Sequence, residues 1–109
     1  MKEPIIAIEQ GNIYAFPTKK EAEVGLEPID IENEEYEIFD SEGLELAAKV
    51  SNHWSPITLK DSDPNTYKVE YLKSMLVKFL ERRGDSPEKW INQTIDNIVK
   101  EIVDKYPTK

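Results

Sequence analysis

The sequence has no cysteine and a single histidine, His53. The first absence excludes a disulfide framework, thiol catalysis and a thiolate zinc site, and the second excludes a multi-histidine metal centre. Glycine is scarce as well. Gly11, Gly25, Gly43 and Gly84 stand alone, each at a turn or a helix end, so there is no glycine-rich phosphate loop. No apolar run exceeds four residues, far short of the ~20 that a membrane-spanning helix needs. The N-terminal run MKEPIIAIEQ reaches an acidic residue with no h-region or small-residue cleavage site. No membrane partner is expected, and the expected location is cytoplasmic. Basic residues are in deficit, with 14 Lys plus Arg against 22 Asp plus Glu and a formal net charge of -8. That balance disfavours a nucleic acid partner, whose phosphates repel such a surface.

What is present is a 109-residue chain, 39% hydrophobic and 33% charged. Its length suits one domain over residues 1–109, and its aromatic and branched content is too high for a disordered chain. Ile5 to Glu9 and Ile13 to Phe16 are short β-branched and aromatic runs around Gln10-Gly11-Asn12, a hairpin pattern. Thr18 with Glu21 three residues on forms a capping box for a short helix to about Leu26, with Ala22, Leu26 and Val24 facing inward. Gly25 and Pro28 end it. A second hairpin joins 35–40 to 44–50 through Asp40-Ser41-Glu42-Gly43, and Leu44, Leu46, Ala48 and Val50 alternate with more polar residues. Pro56 to Lys60 suits a fifth, short strand.

Beyond residue 63 the apolar period changes to three and four. Asp63 or Asn65 caps a helix to about Arg83, with Val69, Leu72, Met75, Leu76, Phe79 and Leu80 on one face. Ser86-Pro87 starts a last helix to about Tyr106, carrying a stripe from Ile91 through Ile102. The expected fold class is α+β: an antiparallel sheet of four to five strands (two hairpins) covered on one face, with a short helix and a C-terminal helix pair.

The acidity is local. Residues 1–64 hold 15 acidic and 5 basic side chains, whereas 65–109 hold 7 and 9. Between Glu21 and Ala48 there are 11 acids and no Lys, Arg or His. Such crowding costs stability through self-repulsion. It reads either as a solvated face that discourages edge pairing or as a surface for a cationic partner. On the second reading the partner-binding residues are Glu32, Glu34, Glu35, Glu37, Asp40 and Glu42, with Trp54 as an aromatic anchor and Tyr36, Ile38 and Phe39 as an apolar centre.

Metal and catalytic readings gain little. Asp61-Ser62-Asp63-Pro64-Asn65 and Asp30-Ile31-Glu32-Asn33-Glu34 open like calcium loops. The first then has Thr66 and Leu72, and the second Glu35 and Ser41, where glycine and the bidentate Glu belong. No metal or other cofactor is assigned. His53 sits in no nucleophile motif, the carboxylates are too many to single out a pair, and no catalytic residue is assigned. The expectation is a protein that is not an enzyme.

Asn12 to Phe16, Thr18 to Glu23 and Glu35 to Gly43 together resemble small acidic immunity proteins of bacterial polymorphic toxin systems. The resemblance covers the first half of the chain. It implies a cytoplasmic, noncatalytic inhibitor that masks the active site, or an adjacent surface, of a cognate toxin domain, often a cationic nuclease. The alternative is a structural or regulatory accessory domain acting through homo- or hetero-oligomerisation, and a third reading is a carboxylate enzyme using a divalent ion.

Overall fold

A computed structural model describes residues 1–62 and 64–106. Two hairpins build most of the sheet. Strands β1 (Ile5–Glu9) and β2 (Asn12–Phe16) pair antiparallel with Glu9 opposite Asn12, leaving a two-residue loop. Gln10 and Gly11 both have positive φ, 48° and 85°, the primed turn that matches strand twist. Two short helices follow, α1 (Lys19–Gly25) and α2 (Pro28–Glu32). Then come β3 (Glu37–Phe39), β4 (Glu45–Lys49) and β5 (Thr58–Asp61). The strand order is β2-β1-β3-β4-β5, every neighbour antiparallel. The fold is α+β, with the helices α3 (Val69–Arg82), α4 (Pro87–Trp90) and α5 (Ile95–Lys105) completing it.

The sheet is covered on both faces, which corrects the one-sided layer expected from sequence. Alternate residues of β1 go to opposite cores: Ile6 and Ile8 pack with Leu76, Leu80 and Ile98 of the C-terminal helices. Ile5 and Ala7 pack with Ala22 and Leu26 of the α1 region and with Leu46 and Leu59. All four are buried, so the run Ile5-Ile6-Ala7-Ile8 is unbroken because both sides need apolar groups. Val24, expected inside, is 65% exposed.

Helix α1 touches both edge strands, β2 and β5. Five strands at ~4.8 Å spacing put the edges about 19 Å apart in a flat sheet, wider than a helix ~10–12 Å across. The sheet therefore curls around α1. Glu23 closes the β5 edge: its carboxylate accepts from the Leu59 amide at 2.7 Å and its carbonyl from the Ile57 amide at 3.3 Å. A carboxylate on an edge amide removes a pairing site for another chain.

The β3–β4 turn is tied to three other parts of the chain. Asp40 is 1% exposed, and its carboxylate accepts from the amides of Lys2 (2.9 Å), Glu42 (2.8 Å) and Leu44 (3.0 Å). Ser41 donates its amide to the Lys2 carbonyl and its hydroxyl to the Glu3 carbonyl. Glu3 in turn accepts from the Lys19 amide at the start of α1. On the other side the Gly43 carbonyl accepts from the Lys68 amide, and Leu44 bridges Tyr67. Gly43 has φ +85°, and a Cβ there would lie 3.0 Å from the Val69 backbone.

Those contacts explain why α3 begins at Val69 and not near Asn65. Thr66 accepts from the Glu45 amide, Tyr67 pairs with Leu44 and Lys68 donates to Gly43, so these residues are held outside the helix. Asp63, the other expected cap, lies outside the described residues. Val69, expected on the inner face, is 41% exposed. The single last helix expected from Ser86 is two. Thr94 caps α5 by accepting from the Asn97 amide at 3.2 Å, and Ile91, in the break, is 60% exposed.

Removing the Asp40 carboxylate leaves three backbone donors short of an acceptor, two of them part-buried and one buried. At ~1–3 kcal/mol for each orphaned group, partly offset by water and relaxation, Asp40→Ala should cost about 3–5 kcal/mol in urea unfolding. Glu42→Ala, on the exposed tip of the same turn, should change stability by less than about 0.5 kcal/mol.

Candidate functional site

The hairpin, the α1–α2 unit and the ends of α3 and α5 enclose a cleft of about 650 Å³ along β2, within the size range of ligand sites. One wall is acidic and aromatic: Glu27 and Asp30 beside Tyr14, Phe16 and Tyr36. The opposite wall is Phe79, Arg83 and Tyr106. Each wall is locally ordered. The Tyr14 and Tyr36 rings meet edge to face, with centroids 6.0 Å apart at 72°. Arg83 stacks over Phe79 at 3.6 Å and lies 5.3 Å from the Tyr106 ring, and it donates to the Phe79 carbonyl at 3.3 Å. A guanidinium so placed gains from the ring quadrupoles while its charge faces the opening.

The sequence of α2 explains the acidic wall. Pro28 starts it at a position where no amide is needed. It ends at Asn33 and Glu34 in a Schellman arrangement: the Glu35 amide donates to the Asp30 carbonyl and the Glu34 amide to the Ile31 carbonyl. Glu34 occupies the left-handed position with φ 55°, where glycine is usual because other L residues pay for the Cβ. This reversal carries Glu35 back beside Asp30. Partial loss of solvent raises the Glu35 carboxyl above its usual range, reinforced by a hydrogen bond with Asp30 and by the charges of Asp30 and Glu9. The Tyr36 phenol is pushed up to about 12, by burial first and then by Glu9 and Asp30.

The seven residues singled out from sequence fall into separate places. Glu34 and Glu35 stand at the end of α2, on the acidic side of the cleft. Glu32, on the same helix, contacts His53 of the β4–β5 loop. That loop presents Trp54, 95% exposed, and fixes its backbone through Asn52, whose side-chain oxygen accepts from the Trp54 and Ser55 amides at 2.8 Å each. Glu37 lies on the opposite face of the sheet and accepts from the Tyr71 hydroxyl at 2.5 Å. That bond is the leading reason the Tyr71 phenol is pushed up to about 12. Glu42 is at the tip of the β3–β4 turn.

Asp40 is a correction. Its carboxylate is buried and committed to three amides, so it does not face a partner. Ile38 and Phe39 are likewise core residues, and of the expected apolar centre only Tyr36 reaches the cleft. The sequence reading missed Glu27, Asp30, Tyr14, Phe79, Arg83 and Tyr106 as neighbours. Asp30 and Glu27 were within the acidic run, but nothing local marks which acids share a cleft with residues fifty positions away. Among the described residues no group of three or more His, Asp or Glu side chains is arranged to hold a metal ion. No helix among them is long and apolar enough to cross a membrane.

Two stability measurements test the local description. Glu34→Gly should raise stability by up to ~1 kcal/mol, because glycine takes the left-handed conformation without the Cβ cost, less its entropy in the unfolded chain. For Glu35, the folded state holds its proton more tightly than the unfolded chain, whose value is near 4.5. Its contribution is therefore most favourable below that pH and is lost as pH rises through the folded pKa. Glu35→Gln should shift the difference between the urea midpoints at pH 7 and pH 4 in favour of pH 7, by raising the neutral value. An unchanged difference would show that Asp30 and Glu9 do not act on it.

Set against known proteins, the chain matches no family, no curated protein sequence and no solved structure.

Proposed function

We propose that the protein is a non-enzymatic inhibitor of the immunity type, which binds and neutralises a cationic toxin domain, a nuclease in the simplest case, through the acidic surface around the α2 cleft. The observation that carries this reading is the crowding of Asp30, Glu35 and Glu9 beside an aromatic-walled cleft. Among the described residues no Lys or Arg forms an ion pair with Glu27, Asp30, Glu34 or Glu35. A solvated face gains nothing from carboxylates pushed against one another, whereas a cationic partner relieves their repulsion on binding. A nuclease cleft must be positive to hold phosphates, and carboxylates occupy it without being cleaved.

Apolar groups complete the surface. Val24 and Ile29 on the α1–α2 unit are 65% and 52% exposed, and Trp54 stands on the neighbouring loop. Apolar side chains beside a charged rim are the usual anatomy of a protein interface, and a fixed tryptophan is a common anchor.

Co-expression with the toxin domain encoded by an adjacent gene, then capture at low and high salt, tests the reading. A salt-sensitive complex is expected. The triple variant Glu27→Gln, Asp30→Asn, Glu35→Gln should slow association about tenfold or more, as loss of electrostatic steering does. Glu37→Gln with Glu42→Gln should leave the rate unchanged. Equal slowing by both sets would reduce the cleft to one part of a general charge effect. Salt-insensitive self-association in sedimentation, with no complex, would favour the oligomerising accessory domain instead.

A further inference from the structure

The α2 side of the cleft brings aromatic rings and carboxylates together from separate parts of the chain. Tyr14 and Phe16 are two residues apart on β2, so their side chains leave the same face of the sheet. Tyr36 comes from the segment before β3 and meets Tyr14 edge to face, with 6.0 Å between centroids. Glu27 and Asp30 come from the start of α2, and all five residues line the cleft. Resting on the reading above, we infer that this side of the cleft seats one arginine side chain of the partner, its guanidinium stacked on the aromatic rings and paired with Glu27 and Asp30.

The rings are placed by the fold and left half open. Tyr14, Phe16 and Tyr36 pack on the core that holds Ile5, Ala7 and Leu26, yet each is only half-buried. The position of Phe16 depends on Gly25, where a Cβ would come within 2.7 Å of the ring. Helix α1 thus ends in the one residue that lets the ring lie against it. Tyr14 and Phe16 stand opposite Ala7 and Ile5 in the hairpin. They offer the cleft their side chains, and the seat needs no main-chain group of β2.

The chemistry of these groups selects arginine. Negative ring faces favour a cation, and among the described residues no Lys or Arg forms an ion pair with Glu27 or Asp30. A guanidinium is flat and weakly hydrated, so its faces can stack while the donors in its plane meet carboxylates. The ammonium of lysine is compact and strongly hydrated and does not combine the two contacts. The opposite wall already displays the stack: Arg83 lies 3.6 Å from the Phe79 centroid and donates to the Phe79 carbonyl. Among the described residues it has no carboxylate partner, whereas the α2 side adds two. The charge of Arg83 also disfavours a run of cations across the cleft, so the occupant is a single side chain. Arginine suits the inhibitor reading as well, because its fork is a common holder of phosphate.

Capped tripeptides with glycine on either side of arginine, lysine or citrulline, titrated into the full chain and followed by NMR, test the seat. The arginine peptide should saturate in the millimolar range and shift the ring resonances of Tyr14 and Tyr36. It should bind about fivefold more tightly than the lysine peptide and about tenfold more tightly than citrulline, which is flat but uncharged. Glu27→Gln with Asp30→Asn, which removes no core group, should weaken the arginine peptide about tenfold without loss of fold. No binding, equal affinity for arginine and either of the other peptides, or shifts confined to residues outside the cleft would each overturn the seat. Capture of a toxin domain in a salt-sensitive complex is a separate measurement and would survive that failure. Conversely, selective arginine binding with no such complex would retain the seat and remove the inhibitor reading.

Discussion

The constraint on which the rest of the structure depends is the commitment of one buried carboxylate. Asp40 joins the N-terminal segment to the β3–β4 turn by accepting from Lys2, Glu42 and Leu44. A buried charge is tolerated only when hydrogen bonds replace its hydration, and here backbone amides do so. The same turn, through Gly43 and Leu44, holds the segment that leads into α3. Strand β3 is only three residues long and central in the sheet. So short a strand is marginal by its own ladder, and the turn behind it keeps β1 and β4 on either side. The β2 cleft depends on this indirectly, because β1 positions β2 and α3 supplies the opposite wall.

Much of the fold was legible in the sequence because its signals are local. The two hairpins, the Thr18 cap and the α3 stripe from Leu72 to Leu80 depend on residues within one or two turns of one another. The structure has Thr18 accepting from the Glu21 amide at 3.1 Å and buries Leu72, Leu76, Phe79 and Leu80. What was not legible was decided at a distance. The apolar run of β1 does not say whether its second face meets helices or water. Asn65 is a good cap in isolation and loses to Thr66, Tyr67 and Lys68, whose partners lie in the β3–β4 turn and β4. The stripe after Ser86 looked continuous because Ile91 fits its period, although Thr94 provides a second cap and Trp90 fills the core.

The acidic run divides in the same way. Counting charges located the excess between Glu21 and Ala48 but treated its members as alike. The fold gives them different work. Glu23 closes an edge, Asp40 holds a turn, Glu45 pairs with Lys68 at 2.9 Å, and Glu37 binds Tyr71. These carboxylates are explained by the fold itself. Subtracting them leaves Glu21 in the first turn of α1, Glu42 at the tip of the β3–β4 turn, and Glu27, Asp30, Glu32, Glu34 and Glu35 on or next to one five-residue helix.

Several unfavourable features gather around that helix. Glu34 holds a left-handed backbone without being glycine. Glu35 keeps its carboxyl beside Asp30 and Glu9. Ile29 is half exposed on the same helix, and across the loop contacted by Glu32 the Trp54 ring is almost wholly in water. Each costs something, and none is needed to fill a core or finish a hydrogen-bond ladder. Strain, repulsion and exposed apolar side chains meet at this corner, and the proposed binding surface rests on that coincidence. The cleft of Tyr14, Phe16, Tyr36 and Arg83 lies beside that corner. Geometry and cost thus converge on the same few residues, although they derive from independent observations: the lining of the cleft on one side, the acid neighbours and backbone angles on the other.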